Sequence, residues 1–267
     1  MNRKIVFFDL DGTLLGTRNG KPFQIPESTL RAFGALKRNG HLAAACTGRP
    51  EKFIRHFFPG VFDSYVASNG ANVVVDGKAV RDLFFPEARI RELTKYFDAY
   101  GCRYFFVGKE HAWGHGMGDV PEKILAQMHR AYFFPDFIIS SWEPGDVAAN
   151  AMDFIFRSDA EYEAQRAAFA GTGMVLNRHA GQASADLSLP ENNKAIGIRC
   201  FLEHAGAAKE DTVAFGDGYN DIVMMKAVGC GVAMGNAADE VKRAADCVTA
   251  DLFDDGVARG LKHLGLI

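Results

Sequence analysis

Short apolar runs alternate with amphipathic stretches along the first third of the chain. "IVFF" at 5–8 is apolar without a break, the pattern of a strand covered on both faces, and the strand is expected to span 5–10. "PESTLRAFGALKRNG" has helical spacing, with Pro26 and Glu27 suited to its first turn and Gly40 to its end. "HLAAACTG" then reads as a strand of small residues, "PEKFIRHFF" as a helix and Tyr65–Ala67 as a strand. Strand, helix, strand, helix, strand predicts parallel βαβ units.

The rhythm then changes. "NVVVDGKAVRDL" is two runs joined by Asp76 and Gly77, a tight-hairpin dipeptide. From about 84 to 177, helical patterns ("EARIRELTKYFDAY", "PEKILAQMHRAYF", "DAEYEAQRAAFA") mix with one-face-covered strands ("CRYFFVG", "MDFIFRS", "GMVLN"). From "ADLSLP" onward the parallel rhythm is expected to return: a helix over 193–204, the strand "TVAFGD", the helix "NDIVMMKAV", the strand "GCGVAM", then helix, short strand and helix. The expected architecture is α/β, with a parallel-sheet domain of residues 1–83 and 186–267 interrupted by an inserted α+β domain of residues 84–185.

Composition narrows the function classes. The formal charge of −3 over 267 residues gives no global attraction for nucleic acid or an anionic membrane. No apolar run approaches the roughly 20 residues that span a bilayer, and the first residues lack the pattern of a secretory signal. The five cysteines (Cys46, Cys102, Cys200, Cys230, Cys247) are scattered, odd in number and without a CxxC pair. That argues against a disulfide framework and a structural zinc site, and a reducing cytoplasm is the expected setting. Cys46 alternates with Ala45 and Thr47 as a buried strand residue would. Nothing in the pattern specifies an oligomeric state.

The candidate chemistry lies at strand ends, where open parallel sheets collect ligands. Three strands run into polar residues: "FFDLDGT", "AACTGR" and "AFGDGYND", while Lys194 opens the helix that follows the insertion. Asp9 and Asp11, two apart on an extended chain, would face one side, which is costly unless a cation sits between them or one is protonated. Asp217 and Asp221 add two more carboxylates. A few hard oxygen ligands suit Mg²⁺, which takes its remaining ligands from water and substrate phosphate. A carboxylate attacking phosphorus gives an acyl phosphate, and a transferring phosphoryl group needs compensating positive charge and donors. Lys194, Thr47 and the Gly48 amide could supply them, and Gly12, Gly216 and Gly218 allow the sharp turns around the acids.

"DLDGTL", "TGR", a lone lysine opening a helix, and "GDGYND", in this order and with a large insertion between the second and third, resemble the four motifs of the haloacid dehalogenase-like hydrolases. The insertion, "SNGA" at 68–71 and "VAMGNAADEVKRAADCVTADLFDDGVARGL" are similar to the Cof-type phosphatase branch with a type C2B cap. The resemblance implies a Rossmann-like three-layer parallel-sheet core with an α+β cap. It implies that Asp9 is the nucleophile and a Mg²⁺ ligand, and that Asp11 is the general acid/base whose backbone carbonyl also meets the metal. Asp217 matches the third metal ligand and Asp221 a carboxylate that supports the metal from nearby. Leu10 (through its amide), Thr47, Gly48, Lys194 and Asn220 match the phosphate-binding set. The expected activity is a Mg²⁺-dependent phosphatase acting on small phosphorylated metabolites, sugar or cofactor-type phosphates, through phosphorylated Asp9. The cap would close over the site and select the leaving group.

Outside the motifs, Arg49 could reach substrate or pair with an acidic neighbour, and Asn69 could shape its loop or touch substrate. In "KEHAWGHGMGDVP", Gly114, Gly116 and Gly118 argue against a helix that would align His111 with His115. Trp113 and His115 could line the space for a sugar or aromatic leaving group, or belong to an ordinary surface loop. Two other activities fit the scaffold: transfer to another metabolite, as in a phosphomutase, and ligand binding by a disabled enzyme. Dehalogenation needs neither a cation nor the second DxD carboxylate, so Asp11 and the acidic set speak against it.

Overall fold

The structure, a computed structural model, describes residues 3–116, 137–179 and 183–267. The expected helix "PEKILAQMHRAYF" and the end of the glycine-rich stretch after Gly116 lie outside the described residues. Two compact units make up the chain: Met1–Arg49 with Ile54–Asp82 and Asn193–Ile267, and Pro50–Phe53 with Leu83–Asn192.

In chain order the first elements are β1 (Ile5–Phe8), β2 (Gly16–Arg18), β3 (Lys21–Gln24), α1 (Glu27–Arg38), β4 (Leu42–Cys46), α2 (Glu51–Phe57), β5 (Tyr65–Ala67), β6 (Asn72–Val75) and β7 (Lys78–Asp82). Then follow α3 (Glu87–Tyr100), β8 (Arg103–Val107), β9 (Ala112–His115), β10 (Ile138–Ile139), β11 (Ala151–Ile155), α4 (Asp159–Phe169), β12 (Val175–Arg178) and β13 (Ser184–Ser188). The chain ends with α5 (Lys194–Ala205), β14 (Thr212–Gly216), α6 (Asp221–Ala227), β15 (Cys230–Ala233), α7 (Asp239–Ala244), β16 (Cys247–Val248) and α8 (Gly256–His263).

The first unit is built on a sheet in the order β16-β15-β14-β1-β4-β5-β6-β7. Its strands from β16 to β5 are parallel, and the β6–β7 hairpin closes one edge antiparallel. Both hairpin turn residues, Asp76 and Gly77, have positive φ (47° and 74°), as a two-residue turn of this hand requires. All four residues of β1 are buried, because helices cover both faces. Ile5 and Phe7 join Ile198, Phe201 and Leu202 of α5 in one core, while Phe8 meets Phe33 of α1 edge-on at 5.3 Å on the other side. That is the three-layer arrangement. The buried residues Thr29, Ala32, Phe33 and Leu36 of α1 keep the expected helical spacing. Cys46 is fully buried in β4, the core role its alternation implied.

The second unit holds a six-stranded sheet in the order β10-β9-β8-β11-β13-β12. One face packs against α3 and α4 through Phe97, Tyr104, Phe106, Met152, Phe154, Tyr162 and Phe169. Here two sequence expectations need correction. Ser184–Ser188 does not return to the parallel sheet: as β13 it runs antiparallel between β11 and β12, so this unit extends to Asn192 rather than to residue 185. The stretch around Trp113 is not a surface loop: Ala112–His115 is a strand, antiparallel to β8. The two-fold alternation of a strand carries Trp113 into the core with only 7% of its surface exposed.

Candidate active site

The site begins where β1 ends. β1 pairs with β14 on one side and β4 on the other, so the carboxyl ends of these three strands lie side by side. Asp9 prolongs the pairing, donating its N–H to the carbonyl of Phe215 at 2.9 Å. The chain then turns on the Leu10 carbonyl, which accepts from the amides of Thr13 (3.3 Å), Leu14 (2.8 Å) and Leu15 (2.8 Å). Gly12 sits in this turn with φ +86°, and a Cβ there would come within 2.0 Å of Asp217 Oδ2. Glycine is therefore required twice over, for its backbone conformation and for the approach of the Asp217 carboxylate.

Lys194 is the first residue of α5, whose N-terminus Asn193 caps by accepting from the Ile196 amide at 2.9 Å. Its buried ammonium donates to Asp9 Oδ1 and to Asp221 Oδ1, both at 2.6 Å. Burial alone would lower its pKa, but Asp221 and Asp9 more than reverse this and hold the ammonium charged. Asp221, also fully buried, uses its other oxygen to accept from the amides of Asp217 (2.9 Å) and Gly218 (2.8 Å), which fixes the loop after β14.

Asp9, Asp217 and Asp221 each place one carboxylate oxygen within 4.8 Å of the others. Three carboxylates meet one ammonium, so the cluster is short of positive charge. Burial pushes the Asp9 carboxyl well above its ordinary range, with Lys194 opposing and the neighbouring acids reinforcing the rise. Burial likewise raises Asp217 to about 7, although the Thr13 hydroxyl donates to it at 2.7 Å. An all-oxygen, charge-deficient cluster of this kind fits Mg²⁺. Asp9 and Asp217 have oxygens available to hold the ion, whereas both Asp221 oxygens are engaged by Lys194 and the two amides.

Asp11 faces another way. Its oxygens accept from Arg49 Nε (2.7 Å) and Nη2 (2.9 Å), a two-pronged ion pair with the Asp11 side chain 44% exposed. Burial pushes this carboxyl up, but the Arg49 guanidinium outweighs it and holds the pKa below the usual range. Of the two roles open to Arg49, the structure shows the pairing with an acidic neighbour.

Thr47 is buried at the end of β4, where its Oγ1 accepts from the Arg49 amide at 3.1 Å, and Gly48 is exposed beside it. Asn220 donates from Nδ2 to Asn69 Oδ1 at 3.2 Å. The sequence residues Asp9, Leu10, Asp11, Thr47, Gly48, Arg49, Asn69, Lys194, Asp217, Asn220 and Asp221 thus all belong to the first unit and come together around these strand ends. Trp113 and His115 belong to the second unit. Trp113 is core, a correction to its reading as a leaving-group contact, and His115 stacks on Tyr104 at 5.2 Å and lies 3.3 Å from Asp98.

Two further residues escaped the sequence reading. Thr13 binds Asp217, as above, and its place in "DGT" was the available signal. Asn236 donates to the Gly12 carbonyl at 2.8 Å and accepts from the Leu252 amide at 2.9 Å, tying the acidic turn to a distant segment. Only the "GN" after a parallel strand pointed to it.

The family model described as haloacid dehalogenase-like hydrolase matches residues 6–261. The chain belongs to that family and, within it, to the phosphatases that carry an inserted α+β cap. YkrA of Bacillus subtilis, whose name assigns it provisionally to the phosphatases, is 31% identical over 268 residues, covering all of both chains. The 5-amino-6-(5-phospho-D-ribitylamino)uracil phosphatase YitU of the same organism is 27% identical, covering 97% of this chain and 96% of its own. Among solved structures, the subclass IIB sugar phosphatase BT4131 superposes with a TM-score of 0.80 at 27% identity, covering 99% of this chain and 100% of its own.

Proposed function

We propose that the protein is a Mg²⁺-dependent phosphatase that hydrolyses small phosphorylated metabolites through a phosphorylated Asp9. The observation that carries this reading is the buried Asp9 carboxylate at the end of the central parallel strand. It is held 2.6 Å from the Lys194 ammonium and clustered with Asp217 and Asp221. Mg²⁺ held by Asp9, Asp217 and the Asp11 backbone carbonyl would neutralise charge on the nucleophile and on the phosphoryl oxygens. Asp221 steadies Lys194 and the loop that carries Asp217.

An Asp9 carboxylate oxygen attacks phosphorus. The new Oδ–P bond forms as the bond from phosphorus to the ester oxygen breaks, and Asp11 gives that oxygen its proton. Lys194, the Thr47 hydroxyl, the amides of Gly48 and Leu10, and the Asn220 side chain hold the phosphoryl oxygens. In the second half, Asp11 takes a proton from water, the water oxygen bonds to phosphorus and the Oδ–P bond breaks, releasing inorganic phosphate and restoring Asp9. Both Asp11 oxygens are engaged by Arg49 in the structure. Asp11 must therefore exchange Arg49 for the leaving-group oxygen or water during each turnover.

The substrate class is drawn from the relatives: one is named for a ribityl-phosphate ester and another for sugar phosphates. A small polyol or sugar phosphate monoester is the corresponding substrate here. The reading predicts hydrolysis of p-nitrophenyl phosphate and of at least one sugar phosphate, abolished by EDTA, restored by Mg²⁺, and lost by roughly 10³-fold or more in Asp9→Asn. Absence of hydrolysis across a panel of phosphorylated metabolites with Mg²⁺ present would overturn it in favour of a binding role.

A further inference from the structure

The Ser68–Gly70 turn has three successive residues at positive φ: Ser68 at 49°, Asn69 at 51° and Gly70 at 92°. Such a run is costly for residues with side chains, although asparagine tolerates the left-handed region better than most. What the run accomplishes is a set of contacts reaching three separate loops. The Ser68 amide donates to the Arg49 carbonyl and the Asn69 amide to the Thr47 carbonyl, each at 3.0 Å. A Cβ on Gly70 would come within 2.3 Å of the Asn193 carbonyl, so the turn lies directly against the helix cap beside Lys194. The Asn69 side chain completes the set. Its Oδ1 accepts from Asn220 at 3.2 Å, and a Cβ on Gly48 would meet its Nδ2 at 3.2 Å and Oδ1 at 3.3 Å.

We infer that Asn69 is a positioning residue for phosphate binding, an inference that rests on the phosphatase reading above. Asn69 follows β5, whereas Asn220 follows β14, and β4 and β1 lie between those strands in the sheet. The Asn69–Asn220 hydrogen bond therefore bridges the carboxyl ends of the strands that carry Thr47 and Asp9. By accepting from Asn220, Asn69 fixes which end of that amide is the donor and where it stands. By packing against Gly48, an exposed residue, it holds the turn after Thr47 in place. Asn69 thus aligns two phosphate donors that come from different strands, and it needs no contact with substrate to do so.

The test is a double-mutant cycle on orthovanadate binding with Mg²⁺ present, read alongside kcat/KM for p-nitrophenyl phosphate. Asn69→Gly is the informative variant, because glycine takes φ +51° without strain and only the amide is lost. Asn69→Gly and Asn220→Ala are each expected to weaken vanadate binding and kcat/KM about 3- to 10-fold, as for loss of one aligned hydrogen bond. The double variant should be no worse than the weaker single one, and thermal melting of Asn69→Gly should stay close to that of the unmodified protein. Additive losses in the double variant, or unchanged vanadate binding in Asn69→Gly, would overturn the positioning role and leave the phosphatase reading intact. An unmodified protein that neither binds vanadate nor hydrolyses any ester would overturn both.

Discussion

Lys194 and Arg49 show how two cations divide the acids of one site. Lys194 is enclosed with Asp9 and Asp221 at 2.6 Å, and removing one partner of such a buried set leaves uncompensated charge. Lys194→Met is expected to cost about 3–5 kcal/mol of folding stability, measurable by urea denaturation, in addition to abolishing turnover. A loss no larger than that of an exposed lysine would contradict the buried triad. Arg49 governs Asp11 and depresses its pKa. In Arg49→Gln that pKa should rise, so the proton-donating form of Asp11 survives to higher pH. The pH–rate profile for an alkyl phosphate, whose leaving group needs a proton, should move to the alkaline side. The profile for p-nitrophenyl phosphate, whose leaving group needs none, should not follow. The motif residues were legible in the sequence because the chemistry restricts the residue type: only a carboxylate can become phosphorylated as Asp9 is proposed to be, and only glycine fits the turn at Gly12 against Asp217. Asn69 and Asn236 were harder to read because they act on neighbouring loops through amide hydrogen bonds, which leave no characteristic spacing.

At the scale of elements, the strands of the second unit carry a titratable feature outside the site. Asp186 of β13 stands opposite Asp153 of β11 in the strand register and lies 3.7 Å from His179. Burial raises its pKa from the ordinary 3.8 to about 6, against the pull of His179. Because the folded value lies above the unfolded one, the neutral carboxyl favours folding; this contribution is complete below about pH 4 and is lost as pH rises through 6. Asp186→Asn is expected to flatten the fall in melting temperature over that range, and an unchanged slope would show that Asp186 is not its source. β13 also marks where pattern reading failed. "SADLS" alternates as a one-face-covered strand should, but alternation does not say which sheet the strand joins, and only pairing with β11 and β12 decides it. β9 was missed because Gly114 and Gly116 read as loop, although a glycine can sit in a strand where backbones approach closely. The short exposed pair of β2 and β3 carried no apolar pattern to detect.

For the molecule as a whole, the parallel rhythm of the sequence foretold the sheet that brings β1, β4 and β14 together, and with it the meeting of three motifs far apart in the chain. Among the described residues no helix is long and apolar enough to cross a membrane. The proposed function rests on one chemical event, transfer of a phosphoryl group to Asp9. The most direct measurement is acid quenching of the Mg²⁺-loaded enzyme during turnover of a sugar phosphate, followed by peptide mass mapping. The account predicts a mass gain of one HPO₃ on the peptide containing Asp9, labile at alkaline pH and absent in Asp9→Asn. Steady turnover with the modification on another residue, or a label that persists in Asp9→Asn, would contradict it.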